Sequence, residues 1–420
     1  MRLGLNPDFN KLWAAQAISA FGSNITREAL SYAAVLTMVA SPMDLSLLSL
    51  ARAVPVLLLG LFVGVWVDRL PRRPLLIAAD LGRAAVLLTI PVADVLNSLE
   101  LWHLYVAAGL TAALTLIFDV ADRSYLPSIV PRDKLMDANS RLSLTGSLSE
   151  VGGPAFTGLL VQAISAPLVL VLDVVSFLWS AIWLGMIRTP ESRHEPEEGH
   201  EAHNIWRETR EGLSTLWRNL TLRTLAGASL LHSFFGWFFG TLYLFFAVRE
   251  LGLSTVWVGI MISAGGVGAL IGAASANALA RRLGLGRMLV VIGFMIPLCA
   301  LLTPLASGPF PLVLTAVIVS QLVGDIAWEI YMIGENSLRQ MTVAPRFIGR
   351  VTATNQFLTG GAGPLGALVA GALATATSAR FTLFVAVGGF LLAALWLVFS
   401  PLRHALAATD NEALGPTART

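Results

Sequence analysis

Asn24, Arg27 and Glu28 stand at i, i+3 and i+4 within an apolar stretch, and Arg52 stands in the apolar stretch that follows. That spacing puts the first three side chains on one helical face. Charged groups in such surroundings are costly unless they are paired or used. Two readings follow: a site for a charged ligand or a proton, or a neutral Glu28–Arg52 pair joining two helices. Glu150 lies about ten residues into another apolar segment with no basic residue one turn away. Left unpaired it exchanges protons; given a partner from another helix it is structural. Asp325 and Glu329 share a face at i, i+4, where two acids repel and can hold a proton or a cation, or else meet arginines from elsewhere. Glu335 continues that row towards the helix end. Asp119, Asp122 and Arg123 cluster at the end of a further stretch, where Asp119 and Arg123 are placed to pair at i, i+4. "LHSFFGWFFGTLYLFF" offers His232, Trp237 and Tyr243 as polar handles on an aromatic wall, which suits a bulky apolar or amphipathic ligand or simple packing.

Other chemistries find no residues to carry them. There is no P-loop, no Ser/His/Asp arrangement at motif spacing and one cysteine, so neither enzyme activity nor a Cys-based metal site is expected. His194, His200 and His203 fall in a short acidic run that reads as solvated histidines and not as a metal site. A net charge of +2 gives no reason to expect nucleic acid.

The elements that must position these groups are read from composition. The 420 residues are 55% hydrophobic and 13% charged, with a mean hydropathy of +0.72. A soluble domain carries about twice that charged fraction. Stretches long enough to cross a bilayer, each about 20 apolar residues, recur at 11–38, 44–67, 74–96, 101–122, 140–163, 167–187, 221–248, 255–279, 288–306, 310–335, 351–376 and 381–400. The expectation is an all-α integral membrane protein of twelve transmembrane helices. The first stretch resembles a secretory signal in its apolar start, but it continues into a full span and reads as a retained helix. With both termini inside, 24 of the 28 Lys and Arg lie in cytoplasmic links, termini or the adjoining helix ends. That asymmetry predicts N-in, C-in orientation in a multi-pass cytoplasmic membrane protein.

Two halves match in parallel order. Gly60 and Gly64 correspond to Gly268 and Gly272, Arg69 to Arg282, Ser124 to Ser337, Pro131-Arg132 to Pro345-Arg346, and Trp183 to Trp396 at a spacing of 213 residues. Ordered landmarks at a nearly constant spacing indicate duplication. The predicted organisation is a six-helix half over 1–187, a linker over 188–220, a second six-helix half over 221–402 and a disordered cytoplasmic tail over 403–420. Within the linker, Trp206, Leu213, Leu216, Trp217 and Leu220 form one face of an interfacial helix. Parallel six-helix repeats suit an alternating-access transporter with its site between them.

"GVWVDRLPRR" at 64–73 resembles the signature loop of the major facilitator superfamily, with a degenerate second copy in "ARRLGLGR". "FDVADRSYLPSIVPRDKLMDANS", "GGPAFTGLL" and "SLRQMTVAPRFIGRV" are similar to the branch of macrolide-efflux and enterobactin-exporter proteins. The resemblance spans residues 8–402. It implies the major facilitator fold and proton-coupled export of an amphipathic drug, antibiotic or siderophore-like compound, with lysophospholipid flipping as the alternative and a membrane enzyme or receptor as a remote one. A mid-helix arginine of drug/proton antiporters is missing from the fourth span, and the fifth-span motif is only approximated by Gly153-Pro154 and Gly158. The resemblance also implies a conformational latch. Gly64 allows close helix approach, Asp68 faces a helix N-terminus, and Arg69, Arg72 and Arg73 meet Asp119 or Asp122. Expected partners are a small-molecule substrate and the bilayer, with no cofactor and a monomeric chain.

Overall fold

The structure, a computed structural model, describes residues 6–189, 213–344 and 347–399, apart from the side chains of Leu61, Val65 and Asp68. Twelve long helices are present among the described residues: α1 (Pro7–Tyr32), α2 (Pro42–Asp68), α3 (Arg72–Val95), α4 (Leu101–Ile129), α5 (Leu135–Ala163), α6 (Ala166–Gly185), α7 (Leu220–Phe245), α8 (Thr255–Leu283), α9 (Leu285–Leu305), α10 (Phe310–Thr342), α11 (Ile348–Ala376) and α12 (Ala379–Val398). Ten of the described helices are long and apolar enough to cross a membrane; α1 and α5, which carry Arg27, Glu28 and Glu150, are the two that fall short on composition. Several helices run beyond the expected spans. α4 continues to Ile129 through Pro127, α5 begins at Leu135, and α10 continues to Thr342.

Local chemistry sets the starts. Asn6 caps α1, accepting from the Asp8 amide ahead of a helix with Pro7 in its first turn. Ser41 and Asp44 form a capping box at α2, with Pro42 in the first turn. Prolines inside helices (Pro55, Pro91, Pro127, Pro154, Pro297, Pro304 and Pro364) are accommodated, as expected where neighbouring helices re-satisfy freed backbone groups.

The chain divides into two compact units, one comprising Met1–Glu198 and Ala247–Ser263, the other Gly199–Phe246 and Ala264–Thr420. In the first unit α1 packs on α5 and α6, α3 on α4 and α6, and α2 on α4. Asp8 closes this bundle by accepting from Lys11, from the Arg188 and Thr189 amides and from the Thr189 hydroxyl. The short segment after α7 belongs here too. Arg249 donates to the Val35 carbonyl, and Thr255 donates to the Gly158 carbonyl. In the second unit α7 packs on α11 and α12, and α9 on α10 and α12. These pairings repeat those of the first. The repeat extends to backbone detail: α1 ends in a π-helical segment at Ala33–Thr37, and α7 ends in another at Phe246–Glu250, 213 residues later.

Within the linker, residues 213–218 are helical. Leu216 is buried against Leu222, Ala226, Val343 and Val351, while Leu213 and Trp217 are exposed. Trp206, the histidines of the acidic run, Pro345-Arg346 and the 403–420 tail lie outside the described residues.

Candidate functional site

Inside the first unit a cavity of about 350 Å³ is walled by α1, α2, α4 and α6. Its apolar lining includes Leu30, Val56, Leu116 and Phe177, and its polar lining includes Thr26, Arg27, Arg52, Thr111, Asp119 and Asp173. Arg27 reaches Glu28 at 3.5 Å and donates to the side-chain amide oxygen Oδ1 of Asn24. Asn24 in turn donates to Ser149 on α5 at 3.0 Å. Arg52 donates to the Arg27 carbonyl at 3.1 Å and to Ser31. The expected Glu28–Arg52 pair is refined: the two lie in electrostatic reach of each other but make no direct contact. Glu28 pairs with its sequence neighbour, and Arg52 caps backbone and hydroxyl acceptors of α1 instead.

At the cavity wall, through Asp173, and behind it, through α3, stand groups that the sequence reading missed. Asp80 and Arg83 of α3 form an ion pair, with side chains 0% and 2% exposed. The Arg83 guanidinium lies between the Phe118 and Phe177 rings, 4.4 and 4.2 Å from their centroids, a geometry in which each ring face attracts the cation. It also donates to Thr115 at 3.4 Å. Asp173 of α6 is fully buried and accepts from Thr26 on α1 at 2.5 Å and from Ser176 at 2.6 Å. A Cβ on Gly22 would lie 2.1 Å from the Asp173 carboxylate, so only glycine lets α1 approach α6 this closely. Asp80, Arg83 and Asp173 sit inside predicted spans. The i, i+3 spacing of Asp80 and Arg83 is present in the sequence, and it places Arg83 inside a span and not among the cytoplasmic cations.

Asp119 and Asp122 take different roles. Asp119 is exposed into the cavity, with Arg83 and Arg123 the cations in electrostatic reach. Asp122 accepts from Gln16 on α1. Arg73 donates to the carbonyls of Leu184 and Gly185, at the C-terminal end of α6 where a cation is favoured. Arg73 and Asp122 thus have partners inside their own unit other than each other, which corrects the expected pairing between them; Arg72 has a partner as well. The Asp68 side chain falls outside the description, and Arg69 is exposed. Nothing among the described residues lies within 4 Å of a Cβ on Gly60 or Gly64. The expected tight contact is instead found in the second copy, where Gly268 and Gly272 press on the Leu322 and Ile326 carbonyls of α10.

Glu150 is exposed and not buried, because it lies on the surface of α5 beside Leu148, itself exposed. In the second unit Asp325 accepts from Gln321 at 2.7 Å and abuts Gly265 on α8. Glu329 packs its Cβ near Gly272 and has a partner. Glu335 accepts from Ser229 on α7 and pairs with Arg339 one turn on. His232 is corrected from cavity wall to core. It is 1% exposed and ringed by Tyr331, Trp328 and Phe390 at centroid distances of 4.8, 5.5 and 5.8 Å. The Trp237 indole lies against Gly363 of α11, and the Tyr243 hydroxyl is buried. Among the described residues no His, Cys, Asp or Glu group is arranged to hold a metal.

Comparison with known proteins agrees with this architecture. The chain is 29% identical over 406 residues to the multidrug efflux pump Tap of Mycolicibacterium fortuitum, covering 93% of this chain and 94% of that protein. It is 26% identical to the macrolide efflux protein A of Streptococcus pyogenes over 54% of this chain and 55% of that one. It is 29% identical to the uncharacterized MFS-type transporter YfiS of Bacillus subtilis, where the match spans about half of each, 51% and 50%. In fold it is similar to a bacterial homologue of the iron transporter ferroportin (TM-score 0.71, 19% identity, 93% and 98% covered) and to the nucleoside transporter NupG (TM-score 0.70, 12% identity, 94% and 98% covered). The transmembrane secretion effector family matches residues 5–418, and the chain belongs to that family of major facilitator transporters.

Proposed function

We propose that this multi-pass transporter exports an amphipathic small molecule by alternating access, driven by the proton gradient. In this reading all twelve long helices cross the cytoplasmic membrane, both termini face the cytoplasm, and the chain works as a monomer without a cofactor. The observation that carries it is the cavity of the first unit. Its apolar walls suit the body of an amphipathic compound, while Arg27, Arg52, Asp119 and Asp173 offer charge of either sign at its rim and floor. Two relatives are named as efflux pumps for drugs, which supports the direction of transport and the class of cargo.

The test is efflux of erythromycin, tetracycline and ethidium from proteoliposomes holding the purified protein, with and without an imposed pH gradient. The expected result is gradient-dependent movement of at least one probe. Transport indifferent to the gradient would remove proton coupling from the reading. Movement of a fluorescent lysophospholipid between leaflets, with none of the three probes transported, would replace export by lipid flipping.

A further inference from the structure

The first unit holds more negative charge than its arginines can balance. Asp80 is bonded to Arg83, and Asp119 and Asp173 both lie in electrostatic reach of that same guanidinium. Asp122 lies in reach of Asp119 and Asp80. Three carboxylates on α3, α4 and α6 thus gather around one buried arginine, and a fourth, Asp122, stands beside two of them with Arg123 its cation, exposed at the edge. Arg27 and Arg52 are engaged with Glu28 and the backbone of α1. Other neighbours offer only neutral donors: Gln16 and Thr26 from α1, Thr115 from α4, Ser176 from α6.

A second observation is independent of the charge count. Asp80 Oδ2 and Arg83 Nε are both fully enclosed and make no hydrogen bond, and only a neutral group, the buried Ser180 hydroxyl, is set within reach of Asp80 from α6. An acceptor left open in a dry site adds to the cost of keeping several neighbouring carboxylates charged on one arginine, and that cost is relieved when one of the group takes a proton. In the second unit the acid at the matching place is compensated by a cation of its own. At the 213-residue spacing Asp122 becomes Glu335, which has Arg339, whereas the first unit has Leu126 at that place. Asp80, Arg83 and Asp173 become Gly293, Ile296 and Ala386.

We infer that the aspartates around Arg83 are the proton-carrying site of the export cycle, with Asp119 exchanging the proton through the cavity; this rests on the proton-coupled reading above. A proton from cavity water adds to an Asp119 carboxylate oxygen and leaves by the same route, with no other bond made or broken. When Asp119 is charged it competes with Asp80 and Asp173 for Arg83. Once protonated, it releases the guanidinium to them. Asp173 is held by Thr26, and Thr26, Asp119 and Asp173 all line the cavity. Cargo and proton therefore meet the same side chains, and filling one site changes the other. That shared lining is what an exchange cycle requires.

The experiment has a spectroscopic arm and a transport arm. Purified protein in lipid nanodiscs is stepped from acid to alkaline pH, and the protonated-carboxyl carbonyl band is followed by infrared difference spectroscopy. Wild type should lose such a band. Asp119→Asn and Asp173→Asn should each remove part of it, Asp119→Glu should keep it at a shifted frequency, and Glu150→Gln should leave it unchanged. A band of full intensity in both Asn variants overturns the assignment, and Asp119→Glu decides it if an Asn variant fails to fold. In proteoliposomes, gradient-driven ethidium efflux should be lost in Asp119→Asn while ethidium exchange at equal pH persists. Wild type that ignores the gradient overturns the coupling reading and the transport role of the site together. Gradient-driven wild type with Asp119→Asn and Asp173→Asn equally driven overturns the site alone.

Discussion

The two halves share a plan and differ in what fills it. Gln16 bonds Asp122 between α1 and α4, and Ser229 bonds Glu335 between α7 and α10, the same contact in each copy at the 213-residue spacing. Around that shared contact the fillings diverge. Gly22, Asn24 and Thr26 on α1 have Phe235, Trp237 and Phe239 as their counterparts on α7. Partners change with them. Gly22 sits against Asp173 and Ser176, whereas Phe235 sits against Gly389, so the small residue moves to the other helix and the bulk is kept. The first half is a polar site with a cavity. In the second, Phe235, Phe239, Phe390 and His232 pack as a ring cluster. One plan thus carries a cavity lined by titratable residues in the first copy and a dense aromatic body in the second. Close packing resists deformation, and charge surrounded by room responds to protons.

That contrast can be broken most severely in the second half. Arg339→Leu leaves Glu335 buried with only a hydroxyl partner, and loss of one member of such a pair costs about 3–5 kcal/mol. A fall in the thermal midpoint of the purified protein should report it, and an unshifted midpoint would mean that the second half tolerates charge as the first does. Next is Gly389→Ala, whose Cβ meets the Phe235 ring at 2.1 Å. An overpacking penalty of about 1–3 kcal/mol is expected, read in the same assay; a neutral result would show the aromatic body to be loose.

A smaller and sharper change transplants one half's solution into the other. Leu126→Arg places a cation one turn from Asp122, copying Glu335–Arg339. Because Leu126 is buried in the core of the first unit, a fall in the thermal midpoint is expected as well. Gradient-driven ethidium efflux should fall several-fold in the folded protein while exchange at equal pH persists, if the difference between halves is one of charge compensation. Normal efflux from a folded variant would show that Asp122 is structural, as Glu335 is. The smallest effect is expected from Glu150→Gln, an exposed site on α5, which should leave uphill efflux within about twofold of wild type, a difference under half a kcal/mol. Abolished uphill efflux with intact exchange would restore Glu150 to the coupling role.

Much of the architecture was legible because apolar length and the order of landmarks are properties of the chain itself. The Gly, Trp and Pro landmarks gave the repeat, and the structure extends it to side-chain bonds and helix ends. Which groups meet was harder to read. Asp80, Arg83 and Asp173 were visible as charges inside spans, but counting arginines for orientation absorbed Arg83. The Gln16–Asp122 contact depends on helix rotation, which apolar stretches do not specify. Gly60 and Gly64 look identical in sequence to Gly268 and Gly272, yet only the second pair meets a neighbouring helix among the described residues. A small residue permits approach and does not supply the partner. His232 failed for the converse reason, since a polar residue on an aromatic helix does not announce which side faces a cavity.

The π-helical segments Ala33–Thr37 and Phe246–Glu250 carry a consequence for ancestry. A single-turn π segment is an irregularity that helices seldom keep without use. Two at the same place in both copies point to one origin, in a six-helix ancestor that already had it before its gene was doubled. The glutamine-or-serine to acid bond shares that spacing and has the same age. Arg339, the Asp80–Arg83 pair and the aromatic filling have no counterparts at that spacing, so there the two copies have diverged. A half-length relative, if sequenced, should bear the π turn and the inter-helix bond but need not bear the arginines.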